Sequence, residues 1–190
     1  MNQAEVGELI VGAYLRVIEE CQFVTYNRRT PGDGNQPETD LVAVKSEDGE
    51  ETVYGCEVVT HLDGPNYSTN NDTSEWDAYS SSSTLRKLED KFEATHQLIN
   101  ETWPHADCEV LQFWSPYVPV GDDEKNLPAG LDELERRLES EYNVEVEMIY
   151  NSKYANRITE NLQTRAAATT SSHDEPAFRF LQILEHIRDN

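Results

Sequence analysis

The chain has 190 residues, with 37 Asp and Glu against 15 Lys and Arg, for a formal net charge of −22. That length suits one domain with a substantial core, and no apolar run is long enough to span a bilayer. The N-terminal MNQAEVGEL lacks the basic and apolar regions of a signal peptide, so a cytoplasmic protein without membrane contact is expected.

Two readings of the charge compete. One is an acidic partner-binding or DNA-mimicking protein. The other is the solvent adaptation of proteins that work in a salt-rich cytoplasm. The acids are spread through loops and outer helix faces, while the apolar periodicity survives, which favours halophilic adaptation over disorder or mimicry. Near salt saturation the Debye length is about 3 Å or less, so a negative net charge does not forbid binding a polyanion. Cys21, Cys56 and Cys108 are far apart, show no CxxC or Cys/His spacing, and read as small buried hydrophobes in a reducing compartment.

Residues 3–21 carry apolar side chains at helical spacing and predict the first helix. Gly7 and Gly12 within it permit close packing, and Glu5 and Glu8 suit the positive end of its dipole. Residues 22–27 read as a strand, followed by the Pro- and Gly-rich loop RRTPGDGNQP. Strands at 39–45 and 52–60 flank a Gly-containing turn and form a hairpin. Residues 62–82 make a long polar loop, and residues 83–102 a strong helix whose buried side is Leu85, Leu88, Phe92, Thr95, Leu98 and Ile99. Residues 107–114 predict a strand. Leu131, Leu134, Leu138 and Tyr142 mark a third helix. Residues 143–150 alternate as a strand, and 152–167 read as a helix. TTSSHDEP is a linker, with Ser172 or Asp174 as the cap of a last helix over 175–188. This order predicts one domain over residues 1–190, an α/β fold with a mixed sheet and helices on both faces.

The hairpin holds the chemistry. Asp40 stands at the mouth of its first strand, and Glu57 lies inside the apolar run of its second. A buried carboxylate needs a partner. Adjacent strands lie about 4.8 Å apart, so both acids can converge on one ion. Mg²⁺ prefers oxygen ligands and retains several waters, so two or three carboxylates suffice. Such an ion activates water and neutralises charge on a phosphodiester. Acids at hairpin ends more often simply face solvent.

The segments GELIVGAYLRVIEECQFVTYNRR, PETDLVAV and YGCEVVTHL, with the order helix, three strands, helix, strand, resemble the restriction-endonuclease-like, or PD-(D/E)XK, nuclease superfamily. They are similar to its small resolvase-like branch in an acidic, haloarchaeal-type form. The resemblance covers about residues 5–114, the nuclease-like core; residues 115–190 form a C-terminal extension that completes the sheet and helical layer. It implies a three-layer fold and a metal-dependent endonuclease acting on DNA in repair, recombination or restriction. Mg²⁺ or Mn²⁺ would be held by Asp40 and Glu57, and Glu8 would support the metal or its water. Arg28 or Arg29 would touch a phosphate. One departure stands out: the lysine that the family keeps two residues after the strand glutamate is Val59 here. Three explanations stay open. The lysine has moved to the next helix, as Lys87 or Lys91. His61 replaces it, if strand alternation puts Glu57, Val59 and His61 on one face. Or the chain is a catalytically inactive nuclease-fold domain that binds nucleic acid or a protein partner. The C-terminal extension is the candidate for homodimer contacts.

Overall fold

Helix α1 (Val6–Val17) buries Val11, Tyr14, Leu15 and Val17 along one stripe. Glu8 reaches back to accept the Glu5 backbone N–H at 3.1 Å, one arm of a capping box. The helix stops four residues short of the predicted end. Glu19 bonds back to the Tyr14 carbonyl at 3.3 Å and Cys21 to the Leu15 carbonyl at 3.0 Å, while Glu20 adopts φ 61°. The Arg16 guanidinium ties this turn down by donating to the Cys21 and Gln22 carbonyls. Apolar periodicity runs on through Ile18 and Cys21, but the turn delivers Cys21 into the core instead.

The computed structural model describes residues 4–29, 38–61, 64–65, 83–120, 127–171 and 173–188. The loop over 30–37, nearly all of the loop over 62–82, the acidic run 122–124 and Ser172 lie outside these residues. Five strands follow α1 in one sheet: β1 (Phe23–Arg28), β2 (Thr39–Glu47), β3 (Glu50–Val58), β4 (Cys108–Ser115) and β5 (Glu145–Tyr150). Their spatial order equals their chain order. β1, β2 and β3 are antiparallel, whereas β3, β4 and β5 run parallel. Asp48 and Gly49 both take positive φ, 54° and 91°, as a two-residue hairpin turn requires. The hairpin is therefore tighter than predicted, with strands reaching Glu47 and Glu50.

Helices cover both faces. On one side α2 (Ser83–Thr102) and α3 (Leu127–Tyr142) pack over Val42, Val53, Leu111 and Phe113. On the other, α1 packs over Leu41, Ala43, Cys56 and Trp114 with a C-terminal layer. That layer comprises α4 (Ser152–Asn156), a π-helical stretch (Arg157–Gln163), α5 (Thr164–Ala168) and α6 (Pro176–Arg188). The chain is thus α/β, a five-stranded mixed sheet flanked by helices. No helix among the described residues is long and apolar enough to cross a membrane.

One prediction at the C-terminus is corrected. The residue before α6 is Glu175, not Asp174, because Pro176 occupies the first helical position, where its missing N–H costs nothing. Of the apolar positions on α6, Phe178 is buried, but Ile183, Leu184 and Ile187 face outward.

Gly55 sets how closely α2 approaches the sheet. A Cβ there would stand 2.4 Å from the Thr95 side chain and 2.9 Å from Ile99, closer than van der Waals contact allows. Gly55→Ala should therefore lift α2 from β3 and destabilise the fold by about 1–3 kcal/mol, the usual cost of overpacking. Thermal unfolding of this variant beside the wild type reads the loss directly.

Candidate active site

Leu41 pairs with Cys56, so the next pair toward the mouth of the hairpin is Asp40 opposite Glu57. Both share the sheet face of Val42 and Gly55, beneath α2. Glu57 is fully buried, and the Asp40 side chain is 15% exposed. Asp40 Oδ2 accepts the Val58 backbone N–H at 2.8 Å, which pins the carboxylate across the ladder.

The cation between them comes from α2. Lys91 Nζ lies 3.3 Å from Asp40 Oδ1 and also donates to Glu57 Oε2. One turn on, the Thr95 hydroxyl donates to Glu57 Oε1 at 3.4 Å and shares a 3.0 Å hydrogen bond with the Thr39 hydroxyl. Lys91 and Thr95 are spaced i, i+4 and so act from one helix face. Burial pushes the Glu57 carboxyl well above the usual carboxylate range, and the Asp40 charge adds to the effect, while Lys91 opposes it.

Glu8 approaches the same end of the sheet from the other layer and is 6% exposed. Asn27 donates to its Oε2 at 3.3 Å. Desolvation raises the Glu8 carboxyl, and the nearby Asp40 charge raises it further. Asn27 takes φ 54°, a left-handed conformation that asparagine tolerates, and the pairing of β1 with β2 skips it.

The predicted residues therefore separate. Glu8, Asp40, Glu57 and Lys91 gather at one end of the sheet. Lys87 is solvent-exposed on the preceding turn of α2. His61 is exposed and lies beyond β3, which ends at Val58, so strand alternation does not carry it onto the face of Glu57. Val59 is 5% exposed within the core under α2. Arg28 closes β1 opposite Thr39, and exposed Arg29 pairs with Glu38 at 2.8 Å. Sequence reasoning assigned no role to Asn27, Thr39 or Thr95. Thr95 did carry a signal, since it is a hydroxyl set among the apolar residues Phe92, Leu98 and Ile99 of the α2 stripe.

Among the described residues, no group of three or more His, Cys, Asp and Glu is arranged to hold a metal ion. Asp40 and Glu57 form a pair, with Glu8 on the flank. Their chemistry still suits Mg²⁺ or Mn²⁺: both are hard oxygen donors, and two carboxylates against one ammonium leave an excess negative charge. An ion that keeps most of its waters needs no more from the protein.

The chain matches no protein-family profile and no curated protein. A solved structure described as a protein of unknown function, AF1548, is similar over 74% of this chain, with 15% identity and a TM-score of 0.28. The chain spans 58% of that neighbour's length. A likeness this slight carries no argument about fold or function.

Glu57 also makes a stability prediction. A carboxyl whose folded pKa is raised holds its proton more tightly folded than unfolded. Its contribution to stability is complete below the unfolded value and is lost as pH rises through the folded one. In EDTA the wild type should therefore lose stability as pH climbs above about 4.3, the free glutamate value. Glu57→Gln, which removes that titration, should flatten the slope and raise the melting temperature at neutral pH. An unchanged slope in thermal melts across pH 4–8 would count against a proton-hungry Glu57.

Proposed function

We propose that this chain is a metal-dependent nuclease-like protein of the restriction-endonuclease-like, PD-(D/E)XK, class, acting on DNA phosphodiesters. The observation that carries the reading is the convergence of Asp40 and Glu57, from neighbouring strands, with Lys91 from the helix that follows. The order of elements supports it: α1, an antiparallel three-strand meander, α2 and a parallel β4 match what the sequence resemblance implies for the core.

Asp40 and Glu57 would hold Mg²⁺ or Mn²⁺. When bound, that ion supplies Lewis-acid polarisation of the phosphate and a water acidified enough to attack it. Lys91 takes the role vacated at Val59. Its ammonium stands beside both carboxylates, placed to donate to a scissile phosphate as charge builds on its oxygens. Thr95 and Thr39 hold Glu57 in one orientation. Glu8, oriented by Asn27, supplies an acceptor for a proton of the attacking water. Arg28 and Arg29 offer phosphate contacts at the rim. The Arg29–Glu38 pair is solvent-exposed and correspondingly weak, so a phosphate can displace it.

Val59 favours a second reading, a catalytically silent relative that binds nucleic acid or a protein partner. In that case Lys91 is a permanent structural counter-ion for the two acids.

A cleavage assay in high KCl with Mg²⁺ or Mn²⁺, on duplex, junction and single-stranded DNA, separates the two. Asp40→Ala and Glu57→Ala should abolish cleavage and calorimetric metal binding together. Lys91→Ala should retain metal binding and lower the rate on the order of 10²–10³-fold, as loss of one charge-stabilising donor does. Lys87→Ala should leave both unchanged. Metal binding without cleavage of any DNA form favours the silent relative. Absence of metal binding sinks the metal reading altogether.

A further inference from the structure

The π-helical stretch and the end of α6 frame a polar hollow of about 380 Å³, lined by Thr159, Gln163, Thr164, Ala167, Glu185 and Arg188. It belongs to the C-terminal layer, on the opposite face of the sheet from α2 and the carboxylate site. Its volume lies at the lower end of the range for small-molecule sites. The π geometry builds it. Thr159 and Thr164 are five residues apart, and in an ordinary α-helix they would point about 140° from each other. The i→i+5 turn stacks them instead, and the Thr164 hydroxyl donates to the Thr159 carbonyl at 3.4 Å.

The groups of the hollow have an uneven hydrogen-bonding balance. The Thr159 hydroxyl donates to the Ala155 carbonyl at 2.7 Å, and the Thr164 hydroxyl is spent likewise, so both keep only lone pairs to offer. Gln163 commits its amide nitrogen to Glu185 Oε1 at 2.5 Å, which leaves its carbonyl oxygen as an acceptor. Glu185 is 4% exposed, and its Oε2 makes no hydrogen bond among the described residues. Arg188, one turn on, meets that oxygen only as an ion pair, from a side chain that is 66% exposed. A buried carboxylate oxygen without a hydrogen bond is costly, and a pair with so exposed a partner is weak.

We propose that this hollow binds a small zwitterion, a primary ammonium with an anionic group a few atoms away. The ammonium replaces Arg188 at Glu185 Oε2, and its three N–H groups find acceptors in Glu185, Thr159 and Thr164. The displaced Arg188 guanidinium takes the anionic group at the mouth. One carboxylate among neutral oxygens is too small a charge for a divalent ion, and a quaternary ammonium has no N–H to give. The site is independent of the reading of Asp40 and Glu57.

Amide NMR titrations of the full chain in high KCl test this, with glycine, β-alanine and γ-aminobutyrate as zwitterions and methylammonium and tetramethylammonium as comparisons. At least one zwitterion should shift the Gln163 side-chain amide and the backbone amides of 159–164 saturably. Methylammonium should bind more weakly, and tetramethylammonium should not bind. Glu185→Gln, which keeps the shape and the Gln163 contact, should weaken binding by about tenfold or more, the scale of one lost charged hydrogen bond. Thr164→Val, at an exposed position, should weaken it while circular dichroism melts match the wild type. Arg188→Ala removes the resident competitor and the anion's partner together. It should strengthen methylammonium binding and erase the preference for the zwitterion. Absence of a saturable shift with all three zwitterions overturns the proposal, as does tetramethylammonium binding as tightly as they do. Zwitterion affinity that survives Glu185→Gln, or a preference over methylammonium that survives Arg188→Ala, overturns it as well.

Discussion

Two carboxylates set opposite each other in an antiparallel ladder, one of them wholly buried, require a cation between them. At an effective dielectric of 20, like charges about 4 Å apart repel by roughly 4 kcal/mol, comparable with the whole stability of a marginal domain. The register of β2 with β3 creates this demand at Asp40 and Glu57, and α2 meets it with Lys91. Much of the neighbouring structure follows. Gly55 clears space for α2, Thr95, itself held by Thr39, takes up the remaining Glu57 oxygen, and the Val58 N–H takes up an Asp40 oxygen.

The opposite face of the sheet holds the flank of the site in place by different means. Gln112 on β4 accepts from the Trp114 indole at 3.0 Å and from the Cys56 thiol at 3.4 Å. Arg157, from the π-helical stretch, pairs with Glu147 at 2.7 Å and lies over the Tyr14 and Trp114 rings. A guanidinium sandwiched against aromatic faces and bound to a carboxylate orients α1 against the sheet. Because Glu8 is on α1, this interior network sets where the third acid sits. Burial likewise explains two of the cysteines: Cys21 and Cys56 lie in the core, with the Cys21 thiol pushed up to about 12, as inert packing groups, whereas Cys108 is only half-buried.

Much of this was legible from residue patterns. An Asp-Gly turn between β-branched runs gives a hairpin, an acid inside an apolar run gives a buried carboxylate, and period-3.6 spacing gives α2 with its observed limits. Other features were not legible, for definite physical reasons. Lys87 and Lys91 share a helix face, so choosing between them depends on how far α2 slides along β3, a tertiary quantity. His61 depended on the strand continuing, and β3 ends at Val58. On α6, apolar residues occupy more than one stripe, and periodicity does not say which stripe a neighbour covers. The end of α1 depended on Arg16 reaching two carbonyls beyond it, a contact made by the fold rather than by local propensity.

The acids and their cation belong to different layers of the molecule. Asp40 and Glu57 ride on the sheet, and Lys91 rides on a helix laid over it. At short range a Coulomb interaction scales inversely with distance, so widening a 3 Å contact to 4 Å removes about a quarter of it before any water enters. The electrostatics of the site are therefore a gauge of interlayer spacing. Whatever compresses or expands the gap between α2 and β3, whether pressure, temperature or a molecule leaning on the outer face of the helix, is transmitted to the proton affinity of Glu57 without touching it.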